Sequence, residues 1–348
     1  MNETDKIPVA ILGATGSVGQ KFVQLLQNHP WFEIAELAAS KDSAGKAYKD
    51  ACDWYLTDEM PESIANLEVK KCKPGLKSKV IFSGLDSGVA GEIETEFAKN
   101  GYKVISNSKN HRMDKNVPLL IPEINPSHTE LIKMQAFGEG FIVTNPNCST
   151  IGLALSLKPL IDNFGVESVN VVTLQAVSGA GNPKKVSFDI EDNVIPFIKD
   201  EEEKLQTEPL KIFGEVHNGK IEFNNMKIDA QCNRVNVTDG HLENVQIRLK
   251  NHAEINDIIK AWKDYTSLPQ KLKLPFAPEN PIHYSEESEF PQPKFHRSIA
   301  KGMAVAIGRL REDIFFDYKY VLLSHNTVRG AAGGAILCAE LLKAQGFI

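Results

Sequence analysis

The sequence predicts an α/β protein with two domains: a doubly wound parallel sheet at the N-terminus and an α+β domain with a mainly antiparallel sheet. Three observations support this prediction. A short apolar strand at residues 7–12 runs into a glycine-rich turn and a helix, further buried strands at 80–85 and 102–107 enclose another helix, and half-exposed strands of alternating polarity follow residue 165. A chain of 348 residues is also long for a single core.

The turn after the first strand carries glycines at Gly13, Gly16 and Gly19 and opens an amphipathic helix. In Rossmann-like dinucleotide-binding folds such glycines let the backbone approach the pyrophosphate, which rests on the helix N-terminus. The GxxGxxG spacing is a weak signal by itself, but its position after the first strand strengthens it. The candidate cofactor-binding residues in this turn are Gly13, Thr15, Gly16, Ser17 and Val18.

The end of the second predicted strand, at residues 32–40, indicates which nicotinamide cofactor is used. NAD enzymes usually place an acidic residue there to bind the ribose 2′-hydroxyl. Here Ser40, Lys41 and Ser43 follow the strand, and hydroxyls and lysines favour a 2′-phosphate. Asp42 lies just beyond the expected position. We therefore expect NADP, bound in part by Ser40 and Ser43, with NAD as a weaker alternative.

Two further buried strands extend the predicted parallel sheet, with a helix around residues 93–97 between them. Ser83 lies at the end of the first of these strands, and Arg112 follows the second. Ligands gather at the carboxyl ends of parallel strands. Ser83 is therefore a candidate cofactor ligand and Arg112 a candidate anion ligand.

Cys148 lies between an apolar strand at 141–143 and a helix-like apolar run. Asn147, Ser149 and Thr150 are helix-capping residue types. A thiol at the positive end of a helix dipole should have a lowered pKa and a populated thiolate near neutral pH. The alternative is that Cys148 is a small apolar residue closing a packed turn.

The rest of the chain predicts the second domain and a return to the first. Strands are expected at 169–177, 229–237, 242–249, 302–310 and 318–323, a helix over the acidic segment 200–208, and an irregular proline-rich segment at 271–295. The small and apolar residues of 326–342 predict a helix that packs on the first domain. The predicted domains are therefore 1–147 with 326–348, and 148–325.

A nicotinamide cofactor together with a cysteine at a helix start indicates oxidation or reduction through a thioester. Backbone N–H groups at the helix start would bind the oxyanion, and a histidine would move protons. His241 follows an Asp-Gly turn and lies seven residues after Arg234, at the same end of one strand. A structural role for His241 and a catalytic role for His325 remain open from these residues alone.

Six separated segments make the chain resemble the aspartate-β-semialdehyde dehydrogenase family, in the branch found in archaea and fungi. They occur in the family's order: GATGSVG at 13–19, NPNCST at 145–150, QAVSGAG at 175–181, EEEKLQTE at 201–208, NR and DGH within 233–241, and HNTVRGAAG at 325–333. The resemblance implies NADP-dependent, reversible reduction of 4-phospho-L-aspartate to L-aspartate 4-semialdehyde and inorganic phosphate, on the route to lysine, threonine and methionine. It also implies a homodimer or homotetramer, with a catalytic and dimerisation role for the second domain.

The same resemblance implies individual roles. Cys148 matches the nucleophile, His241 the general acid/base and Gln175 the residue that orients the acyl group. The matches for substrate binding are Arg234 for the α-carboxylate, Glu201 for the amino group, Arg112 and Lys204 for phosphate, and Asn147; those for the cofactor include Ser178, Gly179 and Asn326.

Composition excludes several classes of function. The net charge of −6 offers no footprint for nucleic acid, and we see no signal peptide or membrane-spanning run. Five scattered cysteines without a CxxC pair argue against disulfides and a metal site, and favour the cytoplasm. Two rival interpretations are a malonyl-CoA or succinyl-CoA reductase of the same fold and a non-catalytic NADP-binding sensor.

Overall fold

The computed structural model describes residues 6–181 and 189–348, so residues 1–5 of the polar N-terminal segment lie outside the described part. The described chain forms two six-stranded sheets and one two-stranded hairpin. Each large sheet has its own apolar core.

The first sheet is the predicted parallel, doubly wound sheet. Its strands lie in the order β3-β2-β1-β4-β5-β6, and every pairing is parallel. The reversal of strand order beside β1 creates the crevice where such sheets bind ligands. The strands are β1 Ile7–Leu12, β2 Phe32–Ala39, β3 Val69–Lys71, β4 Val80–Ser83, β5 Lys103–Ser106 and β6 Phe141–Thr144.

Helices cover both faces of this sheet, as its almost continuously apolar strands require. The predicted helix between β4 and β5 is longer than the sequence indicated, and the Asp86 side chain caps it by accepting from the Gly88 N–H. The helical segments of this part are α1 Ser17–Leu25, α2 Tyr48–Ala51, α3 Glu62–Ala65, α4 Ser87–Lys99 and a 3₁₀ segment at Pro126–Met134.

The second sheet is mixed, with three central antiparallel pairings and a parallel pairing at each edge. The order is β10-β7-β11-β14-β13-β12. The segment 271–295 is less irregular than predicted, because it contains edge strand β12. The strands are β7 Val166–Gln175, β10 Lys227–Arg234, β11 His241–Leu249, β12 Ile282–Ser285, β13 Val305–Glu312 and β14 Tyr318–Ser324, with the hairpin β8 Glu215–His217 and β9 Lys220–Glu222.

A long buried helix, α5 Cys148–Phe164, packs its apolar residues against one face of the second sheet. The predicted acidic helix is α6 Glu201–Ile212. Other helical segments are α7 Ile255–Lys263, α8 Leu268–Lys271, α9 Pro293–His296 and 3₁₀ segments at Val177–Ala180 and Ile299–Gly302.

The C-terminal segment returns to the first sheet, as expected from its small residues. It forms a π-helical turn, Val328–Ala332, followed by α10 Gly333–Ala344. Side chains of α10 share one core with β1 and α1. Two buried pairs tie it down: Arg329 with Glu123 at 2.6 Å, and Glu340 with His29 at 2.8 Å.

Candidate active site

A cavity of about 960 Å³ runs from the glycine turn after β1 to the start of α5. It lies at the carboxyl ends of the parallel strands, where the sequence predicted a dinucleotide. Its lining includes Gly13, Thr15, Gly16, Ser17, Val18, Ser40, Lys41, Lys71, Lys73, Asn107, Arg112, Asn147 and Lys204.

The glycine turn is packed so closely that a side chain would not fit. Gly13 has φ +72°, and a Cβ there would lie 2.7 Å from the carbonyl oxygen of Gly84. A Cβ on Gly19 would lie 2.2 Å from the Gly13 oxygen. Gly13 and Gly16 line the cavity at the N-terminus of α1 together with Thr15, Ser17 and Val18, and a helix N-terminus suits a pyrophosphate.

Of the two serines predicted to distinguish NADP from NAD, one lines the cavity and the other does not. Ser40 lines the cavity together with Lys41, Lys71 and Lys73. Ser43 does not line it; its Oγ lies 3.4 Å from that of Ser40. Three lysines thus line the cavity beside Ser40, and two of them come from β3 and its end, which the sequence interpretation missed.

Ser83 is fully buried, and its hydroxyl donates to Glu94 at 2.6 Å. Asn326 is buried as well: its side chain accepts from the Gly240 N–H and donates to Ser178 Oγ, both at 2.8 Å. Ser178 lines a second cavity of about 540 Å³, which Thr15 and Ser17 also line from the glycine turn. Asn326 therefore connects the turn before His241 to this second cavity.

Cys148 and His241, 93 residues apart, meet at the start of α5. The sulfur lies 3.2 Å from Nε2 of His241. Nδ1 of His241 accepts from the Ala176 N–H at 3.1 Å, so in the neutral ring the proton is on Nε2 and points at the sulfur. The pair therefore has the spacing that a nucleophile and its proton-transfer partner need.

The predicted lowering of the Cys148 pKa is not supported in the free protein. Burial and the nearby Glu201 carboxylate raise the pKa of Cys148 to about 12, against the opposing effects of Arg234 and Arg112. The helix start contributes little to a thiolate, because the Asn147 side chain already accepts from the N–H groups of Ser149 and Thr150.

Burial and Arg234 also lower the pKa of His241 to about 3. The bond from Ala176 to Nδ1 acts in the same direction, since an imidazolium would have to place a proton on that nitrogen. The free protein therefore holds a neutral thiol beside a neutral imidazole.

Strand register explains how distant residues reach this point. In the second sheet Arg234 pairs with Gln175, Leu242 with Leu174, and His241 with Ser324. Arg234, Gln175 and His241 consequently form one row at the end of three adjacent strands, on the buried face. Gly179 lies against the row: a Cβ there would be 3.1 Å from both Arg234 Nη1 and the His241 ring.

Glu201 is the hub of a polar cluster beside this row. Its carboxylate accepts from both the Asn147 amide, at 3.0 and 2.9 Å, and Lys204, at 2.6 Å. Gln175 donates to it at 3.3 Å. Although burial would raise the pKa of Glu201, Lys204 and the other donors lower it, so the group is an anion.

Arg112 lies on the cavity wall and is held by α6. Its Nη1 donates to Glu208 at 2.8 Å and its Nη2 to the Asn107 carbonyl at 2.8 Å. Sequence reasoning missed Glu208 as a separate site residue. The available signal was its position seven residues after Glu201, which places both on one helix face.

Comparison with known proteins decides the family. The family models described as semialdehyde dehydrogenase, NAD binding domain, and semialdehyde dehydrogenase, dimerisation domain, match residues 8–132 and 157–329. The aspartate-semialdehyde dehydrogenase of Methanothermobacter thermautotrophicus is 48% identical, over 97% of this chain and 99% of its own. The chain belongs to the aspartate-semialdehyde dehydrogenase family.

Other members agree with this assignment. The Saccharomyces cerevisiae enzyme of the same name is 43% identical over 97% of this chain and 98% of its own. The crystal structure of the Candida albicans enzyme with NADP superimposes with a TM-score of 0.91 at 42% identity, covering 99% of this chain and 100% of that one. The predicted family, fold class and enzyme type are thereby confirmed, as is binding of a nicotinamide nucleotide.

Two observations concern what the described residues do not contain. None of their helices is long and apolar enough to cross a membrane. Within 6–181 and 189–348, no group of three or more histidine, cysteine or carboxylate side chains is arranged to hold a metal ion.

Proposed function

We propose that this chain catalyses the reversible, NADP-dependent conversion of 4-phospho-L-aspartate to L-aspartate 4-semialdehyde and inorganic phosphate. The observation that carries the proposal is the arrangement of Cys148 and His241 at 3.2 Å beside three separate charged groups, Arg234, Glu201 and Arg112. A substrate with one carboxylate, one ammonium and one phosphoryl group needs three such partners.

Cys148 is the nucleophile. In the reductive direction its sulfur attacks the phosphorylated carbonyl carbon and gives up its proton. The C–S bond forms and the C–O bond to phosphate breaks, so that inorganic phosphate leaves with that proton. Reduction of this thioester then gives the aldehyde, and the sulfur leaves and regains a proton. His241 is the proton-transfer group, because its Nε2 faces the sulfur. To accept the thiol proton at Nε2, the ring must carry its own proton on Nδ1 and release the Ala176 N–H.

The oxyanion formed during attack needs a donor at the helix start. The N–H groups of Asn147, Ser149 and Thr150 already have acceptors in Glu208 and the Asn147 side chain. The backbone N–H of Cys148 itself is the remaining donor there. Gln175 orients the acyl group from the neighbouring row.

Substrate recognition follows the charges. Arg234 binds the α-carboxylate; it is buried, and its Nη1 donates to the Ala176 carbonyl at 2.6 Å, which holds the guanidinium in place. Glu201, kept anionic by Lys204, takes the amino group, and Asn147 supports it. Arg112 and Lys204 bind phosphate from the cavity side.

The cavity lining supports NADP as the cofactor. The backbone at Gly13, Gly16 and Ser17 would hold the pyrophosphate, and Ser40 with Lys41 and Lys71 the 2′-phosphate, with Ser43 behind them. NADP bound there would supply the hydride for reduction of the thioester and would accept it in the oxidative direction. Thr15, Val18, Ser178, Gly179 and Asn326 complete the proposed cofactor site, and Ser83 supports it from the buried side.

A malonyl-CoA or succinyl-CoA reductase is the rival enzyme. Glu201 argues against it, because Lys204, Asn147 and Gln175 orient a carboxylate at the site and an acyl-CoA substrate has no ammonium group for that carboxylate to bind. A non-catalytic sensor would leave the Cys148–His241 geometry without a use.

The chain's assembly and division are part of the proposal. A matching dimerisation domain supports a homodimer or homotetramer. The shared core of α10, β1 and α1 supports a discontinuous first domain of 1–147 with 326–348, and a second domain of 148–325. The cytoplasmic location stays a prediction.

The test is reduction of NADP, and separately of NAD, with L-aspartate semialdehyde in the presence and absence of phosphate or arsenate. Turnover that needs the oxyanion supports an acyl-enzyme resolved by phosphorolysis, and the cofactor ratio tests the lysines around Ser40. Absence of turnover with both cofactors, together with activity on malonyl-CoA, would replace the proposal with the reductase.

A further inference from the structure

Four charged side chains of alternating sign form one stripe along α6: Glu201, Lys204, Glu208 and Lys211. Their spacing of three, four and three residues keeps them on one helix face. Glu201 and Lys204 belong to the substrate site described above. Glu208 and Lys211 are 2% and 0% exposed and have no part in the proposed reaction. Burying two charged groups costs free energy unless their hydrogen bonds and ion pairs compensate, so the contacts of Glu208 and Lys211 indicate what the two residues do.

The Glu208 carboxylate joins two parts of the site. One oxygen accepts from Nη1 of Arg112 at 2.8 Å, and the other accepts from the backbone N–H of Asn147 at 2.7 Å. Arg112 follows β5 of the first sheet, whereas Asn147 immediately precedes the nucleophile. A single carboxylate therefore fixes the guanidinium relative to the start of α5.

Lys211 holds the same segment by its backbone. Its Nζ donates to the carbonyl oxygens of Arg112, Asp114 and Val117 at 2.6, 2.7 and 2.8 Å. A lysine ammonium has three donors, and all three are used. The Arg112 guanidinium donates two of its five N–H groups to Glu208 and Asn107, so other N–H groups remain for a ligand in the cavity that Arg112 lines.

We propose that Glu208 is a positioning residue for the phosphate step, with Lys211 as the second anchor of the Arg112 segment; this rests on the proposed function. An arginine with a free side chain loses rotamer freedom each time it binds a phosphate, whereas Arg112 is ordered in advance. A purely electrostatic effect of Glu208 would have the opposite sign, because a carboxylate next to Arg112 repels phosphate.

Glu208→Asp separates the two effects, since it keeps the charge and shortens the side chain by one methylene. It can no longer reach both Arg112 and Asn147. We expect the KM for phosphate to rise about tenfold, the effect of one lost charge-assisted hydrogen bond. The KM for L-aspartate semialdehyde and the Kd for NADP should stay within about twofold. Glu203→Asp is the matched control, because Glu203 is exposed on the same helix.

Glu208→Gln keeps the side-chain length and removes the charge, and serves if the shorter variant is unstable. Arg112 and Asn147 donate to different oxygens of Glu208, and in glutamine one of these positions becomes an NH₂ donor, so phosphate KM should rise here too. A phosphate KM that falls in Glu208→Gln, or stays unchanged in a folded Glu208→Asp, overturns the positioning role.

A double-mutant cycle tests whether Glu208 acts through Arg112. In an Arg112→Ala background, Glu208→Asp should change the phosphate KM by less than about twofold; fully additive effects would overturn the proposal. Wild-type protein without phosphate-dependent turnover refutes the proposed function, and the positioning role falls with it. Wild-type turnover with unchanged phosphate KM in the variants refutes the positioning role alone.

Discussion

Gly330 is where the C-terminal segment presses on the nucleophile. It lies in the π-helical turn Val328–Ala332, and a Cβ added to it would be 2.7 Å from Cβ and 2.9 Å from Cα of Cys148. Nonbonded carbon atoms normally approach to about 3.5–4.0 Å. Gly330→Ala therefore requires a relative shift of about 1 Å between the turn and the start of α5.

Neither side can absorb this shift easily. The Gly330 N–H donates to the His325 carbonyl at 3.0 Å, and the α5 start is buried and held by its Asn147 cap. A displacement of about 1 Å at a reacting atom can cost about 100-fold in rate. Overpacking a core position typically costs about 1–3 kcal/mol. We thus expect Gly330→Ala to lose about 100-fold in kcat and to remain folded.

The assay is kcat at saturating L-aspartate semialdehyde, NADP and phosphate, alongside urea denaturation and NADP titration. Ala331→Ser is the control, because it adds one atom to the neighbouring, half-buried position of the same turn. If Gly330→Ala retains kcat within about threefold while Ala331→Ser does the same, the close approach does not matter for catalysis and the reasoning fails.

Three further predictions concern single side chains. Cys148→Ala should abolish turnover and leave NADP binding, measured by fluorescence titration, intact. Loss of NADP binding in this variant would show that the proposed nucleotide site is misplaced. Arg234→Ala should raise the KM for L-aspartate semialdehyde by about 10–100-fold, as expected when a bidentate carboxylate contact is lost, and an unchanged KM would remove Arg234 from the site. Burial would raise the pKa of Glu36, but Lys70 and Ser78 lower it from 4.5 to about 2. The stability contributed by ionised Glu36 is therefore present above pH 4.5 and is lost as the pH falls toward 2. Glu36→Gln should lower the free energy of urea unfolding by about 1–2 kcal/mol at pH 7, and by progressively less as the pH falls from 4.5 toward 2. A difference between the two proteins that does not depend on pH would contradict this prediction.

The fold was predictable where the signal is local. Strand, glycine turn and helix follow one another along residues 7–25, and two further apolar strands enclose a helix, so the order of these local patterns indicated the parallel sheet. Pairing partners are not written in the sequence, and the second sheet accordingly has parallel edge pairs that alternation could not reveal. Strand β12 was missed because it is only four residues long and lies in a proline-rich segment.

The site was predictable in its residue types and only partly in its electrostatics. A capped helix start drew attention to Cys148, but the pKa of its thiol depends on burial and on Glu201, which are tertiary facts. The same cap that identified the helix also occupies the N–H groups that were expected to stabilise a thiolate. A motif can therefore locate a nucleophile without specifying its protonation.

Glu208 and Gly330 show what the site residues that sequence reasoning missed have in common. Each acts on a motif residue from outside the motif's immediate neighbourhood: Glu208 holds Arg112 from α6, and Gly330 limits Cys148 from the returning C-terminal turn. Both contacts join segments that pack against different sheets, so the local pattern contains the two residues but does not indicate which residues they contact. The same contacts imply that the phosphate end of the cavity keeps its shape only while α6 and the Arg112 segment keep their relative positions. Any opening there must break the hydrogen bonds of Glu208 and Lys211 to the Arg112 segment together.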